Sequence, residues 1–191
     1  MSFVFLALSL FFPSLFFQSL FAAGVEKSRL NLFPPNKQKP NSYAEFLAGM
    51  AFNSASLGAV HAMAHQLGGT FNLAHGVCNA LLLPGVQAFN AARSEAARPL
   101  FIDVAEAMGL RTASATAEEA AAAVVAALRK LSARVGIPRN IEALGVSRED
   151  FMRSVDDLTR NALKDACGLT NPVPLEFDDV RTLFVEAFEQ Q

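Results

Sequence analysis

Residues 58–76 read GAVHAMAHQLGGTFNLAHG and contain all three histidines of the chain, His61, His65 and His75. His61 and His65 are four residues apart, so their imidazoles leave one face of a helix, one turn from each other. A pair of glycines and a short polar turn then separate this helix from the next, which His75 begins. The stretch therefore predicts two helices joined by a turn that returns His75 to the neighbourhood of His61.

Helix signals continue through the remainder of the chain, and no segment alternates apolar and polar residues with the period of a half-buried strand. Gly68 and Gly69 are predicted to end the first helix, because glycine readily accepts the positive φ common at helix C-termini. Thr116 followed by Glu119 forms a capping box, a typical helix start, and Ser147 followed by Asp150 resembles a second one. Further helices are predicted over 43–53, 56–66, 76–89, 94–108 and 117–135, after Ser147, and around Asp178. The pattern indicates an all-α bundle of six to eight helices over residues 43–191.

The first 42 residues differ in composition and are predicted to lie outside this helical domain. Residues 3–23 carry no charged side chain and are long enough to cross a bilayer core. They could also be a secretory signal, but no Lys or Arg precedes the apolar run, which counts against both the membrane span and the signal. Residues 27–40 are polar and contain three prolines, which is typical of a linker. The sequence leaves three interpretations of these 42 residues open. They are a membrane anchor, a secretory signal, or a segment that does not belong to the domain's natural fold because of a truncation or a frame change.

The overall composition excludes several classes of protein. The chain has 191 residues with 16 basic and 18 acidic side chains, so it lacks the positive charge of a nucleic-acid binder. Its two cysteines, Cys78 and Cys167, are too few for a disulfide scaffold and are predicted to serve in packing. The apolar fraction of 52% argues against intrinsic disorder.

Three imidazoles within fifteen residues are explained either by a divalent metal site or by a buried polar cluster. Neutral imidazole suits Zn, Fe, Ni and Cu. Ala62 follows His61 where a zinc-protease helix has glutamate, so that mechanism is disfavoured. The first aspartate is Asp103, and a complete coordination shell would have to recruit Glu45, a distant acid, water or another polypeptide.

Several motifs together resemble the C-terminal helical domain of the iron-containing alcohol dehydrogenase family. They are LAGMAFNSASLG (47–58), the histidine stretch itself, CNA (78–80), KDAC (164–167) and TNP (170–172). The resemblance covers residues 43–191 and implies a helical domain of the kind also found in dehydroquinate synthase.

The resemblance also implies a function. Such enzymes bind Fe²⁺, or in some cases Zn²⁺, and transfer hydride between a small alcohol or aldehyde and NAD or NADP. His61 and His75 match two of the four metal ligands, and His65 matches the histidine that accepts or relays a proton beside the nicotinamide. The other two ligands form an Asp-x-x-x-His pair, which the sequence lacks. It also lacks the Gly-rich loop of the family's nucleotide-binding domain, so none of its residues is predicted to bind the nicotinamide cofactor.

From these matches and gaps we predict the metal-ligating half of an NAD(P)-dependent alcohol dehydrogenase, with reduced or no activity as an isolated chain. A homodimer, as in the family, and a separate chain that supplies the nucleotide domain are the partners this interpretation implies. The predicted location is the cytoplasm, unless residues 3–23 act as an anchor or signal. The alternative is a helical interaction domain without catalytic activity.

Overall fold

A computed structural model describes residues 49–51, 53–110 and 114–189. The interpretations of residues 1–42 as anchor, signal or linker, and most of the helix predicted over 43–53, concern residues outside this part of the chain.

Six α-helices form the described part of the molecule. They are α1 (Ala59–Phe71), α2 (His75–Arg93), α3 (Leu100–Ala107), α4 (Ala117–Arg134), α5 (Arg148–Lys164) and α6 (Phe177–Glu189). Two short 3₁₀-helices, Glu142–Leu144 and Ala166–Thr170, lie on either side of α5, and residues 49–51 and 53–55 are also helical. No strand occurs among the described residues, so the predicted all-α fold is confirmed.

Helix α2 lies at the centre of the bundle, in contact with α1, α4 and α6. Three consecutive leucines, Leu81, Leu82 and Leu83, are each at most 4% exposed. A helix that buries successive residues is covered on more than one face, as expected of a core helix. Its first residue, His75, follows the short turn after α1.

The predicted capping signals are present. The Thr116 side chain accepts a hydrogen bond from the Glu119 backbone N–H, and the Glu119 carboxylate accepts one from the Thr116 backbone. Ser147 similarly accepts from the backbone N–H of Asp150 at the start of α5. Each cap satisfies backbone donors that the first turn of a helix leaves unpaired.

The predicted end of the first helix is wrong. Helix α1 continues through Gly68 and Gly69 to Phe71, and Asn72 ends it in the left-handed conformation with φ of 54°. Asparagine tolerates this conformation better than most residues. Gly68 has another role, since a Cβ there would lie 3.2 Å from the backbone oxygen of Leu73. The glycine therefore allows the turn to fold closely back on α1.

The start of α1 is held from a distant part of the chain. Gly58 precedes α1 and provides no side-chain cap, but the Asn171 Oδ1 accepts from the Ala59 backbone N–H at 3.3 Å. Asn171 also exchanges two hydrogen bonds with the buried amide of Asn90 on α2, at 2.8 and 3.2 Å. Its Nδ2 further donates to the backbone oxygen of Val173. We call this group the Asn171 clamp; it fixes α1, α2 and the segment after α5 relative to one another.

Among the described residues, no helix combines the length and apolar character needed to span a membrane.

Candidate metal centre

The three histidine rings form one cluster where α1 faces the beginning of α2. The ring centroid of His61 lies 5.3 Å from that of His75 and 5.8 Å from that of His65. The rings of His65 and His75 are also 5.3 Å apart, nearly parallel at 20°. The convergence of His75 on His61 that the sequence predicted is therefore present in the fold.

His61 is the buried member of the cluster, 4% exposed. Burial lowers its pKa from the ordinary 6.5 to about 4, and the neighbouring His75 and His65 rings lower the pKa further, whereas Asp165 raises it. The ring is thus neutral near pH 7. Its Nδ1 is buried and has no hydrogen-bond partner within the described structure, which is an unfavourable arrangement unless a ligand uses it.

His75 is held by Asn79, one turn further along α2. The Asn79 Nδ2 lies 3.0 Å from Nε2 of His75 and also donates to its backbone oxygen at 3.0 Å. Burial, with a smaller contribution from His65, lowers the pKa of His75, so this ring too favours its neutral form. A neutral imidazole is the form that coordinates a metal.

His65 contacts an acid that the sequence analysis did not single out. Its Nδ1 lies 2.8 Å from Oδ2 of Asp165, although the two residues are 100 positions apart. Burial favours a higher pKa for Asp165, but hydrogen bonds from His65 and Cys167 outweigh it and hold that pKa below its ordinary value. An ionised carboxylate can only accept hydrogen bonds, so Nδ1 of His65 carries the proton.

Asp165 also begins the 3₁₀-helix that follows α5. Its Oδ1 accepts from the backbone N–H of Cys167 at 2.9 Å. The Cys167 thiol is half-buried beside this carboxylate, and burial, together with the hydrogen bond and charge of Asp165, raises its pKa to about 11. Cys78, by contrast, is fully buried in the core, in agreement with the predicted packing role.

A sequence profile described as the C-terminal part of the Fe-containing alcohol dehydrogenase family matches residues 36–188. The chain belongs to this family.

Individual relatives agree with this assignment to the Fe-containing alcohol dehydrogenases. Alcohol dehydrogenase 4 of Saccharomyces cerevisiae is 46% identical over 147 residues, which are 77% of this chain and 36% of the yeast protein. The 1,3-propanediol dehydrogenase of Citrobacter freundii is 42% identical over the same length and with the same two shares. The solved alcohol dehydrogenase of Oenococcus oeni has a TM-score of 0.77 at 33% identity, covering 97% of this chain and 49% of the other. The chain thus spans about a third of the length of the curated relatives it matches.

Sequence reasoning located the histidines of this family member but not their acidic partner. His61, His65 and His75 all lie in the cluster, whereas Glu45 is outside the described residues. The donors that would complete a metal shell around His61 and His75 stay a prediction. The fold brings a distant acid, Asp165, into contact with His65. The signal was present in the KDAC motif of residues 164–167, which contributed to the resemblance without being given a chemical role.

Proposed function

We propose that this chain supplies the metal-holding and proton-accepting side chains of an NAD(P)-dependent alcohol dehydrogenase. In this proposal His61 and His75 hold Fe²⁺ or Zn²⁺, and His65 accepts the hydroxyl proton of a small alcohol. The observation that carries the proposal is the convergence of the three rings, whose centroids lie 5.3–5.8 Å apart. The buried Nδ1 of His61, which has no hydrogen-bond partner among the described residues, supports it.

The residues present fit a divalent metal. His61 and His75 both favour the neutral form, and neutral imidazole is a good ligand for Fe²⁺ and Zn²⁺. A cation could use the unpartnered nitrogen of His61. At His75 it would replace the Asn79 Nδ2, which lies 3.0 Å from Nε2 and 3.3 Å from Nδ1, as the partner of a ring nitrogen. When bound, such a metal acts as a Lewis acid toward an alcohol oxygen.

His65 is arranged to accept a proton through its second nitrogen. Since Nδ1 donates to Asp165, a neutral His65 ring has its lone pair on Nε2. Asp165 also stabilises the positive charge that the ring gains when Nε2 takes up a proton. A carboxylate that orients an imidazole in this way is a common arrangement for a general base. The side chain of His65 is 38% exposed, so a substrate could reach it.

Two components of the family's site are not among the described residues. The Asp-x-x-x-His pair of the family is absent from the sequence, and no nucleotide-binding sheet occurs among the described residues. We propose that NAD or NADP is held by a nucleotide-binding domain that the described residues do not include, and that the enzyme assembles as a homodimer, as in the family. The names of the relatives, alcohol dehydrogenase and 1,3-propanediol dehydrogenase, support a small alcohol or its aldehyde as the substrate.

Anaerobic titration of the purified chain with Fe²⁺ tests the proposal, with bound metal measured after removal of the free ion. His61→Ala and His75→Ala should each abolish the binding that the unsubstituted chain shows. His65→Ala is the matched control, because it removes an imidazole from the same cluster, and it should leave Fe²⁺ binding intact. Equal weakening by all three substitutions, or no binding by the unsubstituted chain, would overturn the assignment of roles.

A further inference from the structure

A second group of potential metal ligands shares one residue, His65, with the histidine cluster. A ring nitrogen of His65, a carboxylate oxygen of Asp165 and the sulfur of Cys167 all lie within 4.8 Å of one another. These are the three donor types that zinc sites use, at bond lengths of about 2.0–2.3 Å. Four-coordinate geometry at such lengths separates ligand atoms by about 3.4 Å, so small side-chain rotations would suffice.

The segment that carries the two distant donors is firmly attached to α1. Thr170 donates from its hydroxyl to the backbone oxygen of Leu57, just before α1, at 2.6 Å. A Cβ at Gly168 would lie 3.7 Å from Cβ of Ala62, an ordinary contact distance, so this turn packs directly against α1. The turn therefore holds Asp165 and Cys167 beside His65.

The carboxylate is also oriented as metal ligands usually are. Oδ1 of Asp165 accepts from the backbone N–H of Cys167, and Gln66 Nε2 lies 3.4 Å from Oδ2. Ligating carboxylates are characteristically fixed by such additional hydrogen bonds. Because His65 is 38% exposed, a cation can reach the group from solvent and keep one position open for water.

From this geometry we propose that His65, Asp165 and Cys167 form a second cation site, specific for a thiolate-binding metal such as Zn²⁺ and separate from the His61–His75 pair. The metal takes the place of the proton on Nδ1 of His65, and this proton moves to Nε2 of the same ring. The thiol of Cys167 loses its proton to solvent, and the resulting thiolate forms the metal–sulfur bond. One carboxylate and one thiolate balance the two positive charges of the ion.

Occupancy of this site has a direct consequence for the proposed proton transfer. Once the metal occupies Nδ1, Nε2 of His65 carries the proton and can no longer accept another. Zn²⁺ bound at His65, Asp165 and Cys167 would thus block the proton-accepting role of His65 without displacing a metal from His61 and His75.

Cobalt is a suitable probe, because Zn²⁺ has a filled d shell and gives no ligand-field spectrum. The full chain is titrated with Co²⁺, and a near-ultraviolet charge-transfer band reports a cobalt–thiolate bond. We expect this band at one Co²⁺ per chain, and we expect its loss in Cys167→Ala. Asp165→Asn should weaken Co²⁺ binding at least about tenfold, since loss of even an outer-sphere partner costs about 10–100-fold in metal affinity.

Two control variants separate this site from its neighbours. Cys78→Ala removes the other thiol, which is buried in the core, and should leave the band unchanged. His61→Ala should also leave the band unchanged, although it is expected to abolish Fe²⁺ binding. Failure of the second site and failure of the proposed function would therefore appear in different variants and with different metals.

The unsubstituted chain provides a test that does not depend on the folding of a variant. Zn²⁺ should slow alkylation of Cys167 by iodoacetamide at least tenfold, as measured by mass spectrometry of the peptides. Unchanged alkylation of Cys167, a missing cobalt–thiolate band in the unsubstituted chain, or a band that survives Cys167→Ala would each overturn the proposal.

Discussion

The low pKa of His61 predicts that the folded chain loses stability below neutral pH. The pKa of His61 is about 4 in the fold and near its ordinary 6.5 in the unfolded chain. Between these values the unfolded chain binds the proton more tightly, so unfolding takes up a proton and stability rises with pH. The contribution of His61 is complete above pH 6.5 and is lost as the pH falls toward 4.

The size of this loss of stability follows from the shift in the pKa of His61. Each pKa unit corresponds to about 1.4 kcal/mol, so the full shift corresponds to about 3 kcal/mol, and about 2 kcal/mol of this is lost at pH 5. The titratable groups near His61 do not reverse the direction in which stability changes with pH. His75 also has a lowered pKa and acts in the same direction, while the lowered pKa of Asp165 affects stability only below its ordinary value of 3.8.

Urea unfolding, followed by far-ultraviolet circular dichroism at pH 7.5 and pH 5.0, measures this effect. A chelator in both buffers keeps metal away from the rings. We expect the unsubstituted chain to lose about 2 kcal/mol more than His61→Ala between the two pH values. The substitution itself also lowers stability through lost packing. That loss is present at both pH values, so it cancels when the change in stability between the two pH values is compared. If His61→Ala retained the full pH dependence, His61 would be charged or solvated in the folded chain. That result would refute the burial of a neutral His61 as the cause of the pH dependence.

Three further substitutions test the fold by the same urea measurement. Asn171→Ala should lower the free energy of unfolding by about 2–3 kcal/mol, because it leaves the buried Asn90 amide without its partners. The control Asn161→Ala, at an exposed position, should change the free energy of unfolding by less than about 0.5 kcal/mol. Similar values for the two variants would contradict the role of the Asn171 clamp. Phe151→Ala should cost about 3–5 kcal/mol, since the ring is fully buried, and a loss below about 2 kcal/mol would indicate that its neighbours collapse into the space. Thr116→Ala should cost about 1 kcal/mol by removing the cap of α4, and an unchanged midpoint would show that solvent replaces it.

Local signals account for the parts of the fold that the sequence predicted. The Thr116 capping box and the Ser147 cap lie next to the helices that they begin, so neighbouring residues suffice to predict them. The histidine cluster was also predictable, because its members lie within fifteen residues and one turn determines how they meet.

Other features depend on contacts that no local pattern contains. Gly68 suggested a helix end, but its small size serves the close approach of Leu73, so α1 continues past it. The predicted helix over 94–108 begins only at Leu100, because residues 95–99 form turns after Ser94, which ends α2. Asp165 reaches His65 across 100 residues, and only the packing of α1 against α5 and the following 3₁₀-helix brings them together.

The number of residues between potential metal ligands determines when during synthesis they can come together. His61 and His75 close a loop of fifteen residues, whose entropic cost is small and which needs little beyond α1 and α2. His65 and Asp165 can meet only after the chain has been made through residue 165. During synthesis from the N-terminus, the imidazole pair can thus become available for an ion well before the carboxylate and thiol emerge. The first metal captured by a nascent chain would then be bound through nitrogen alone.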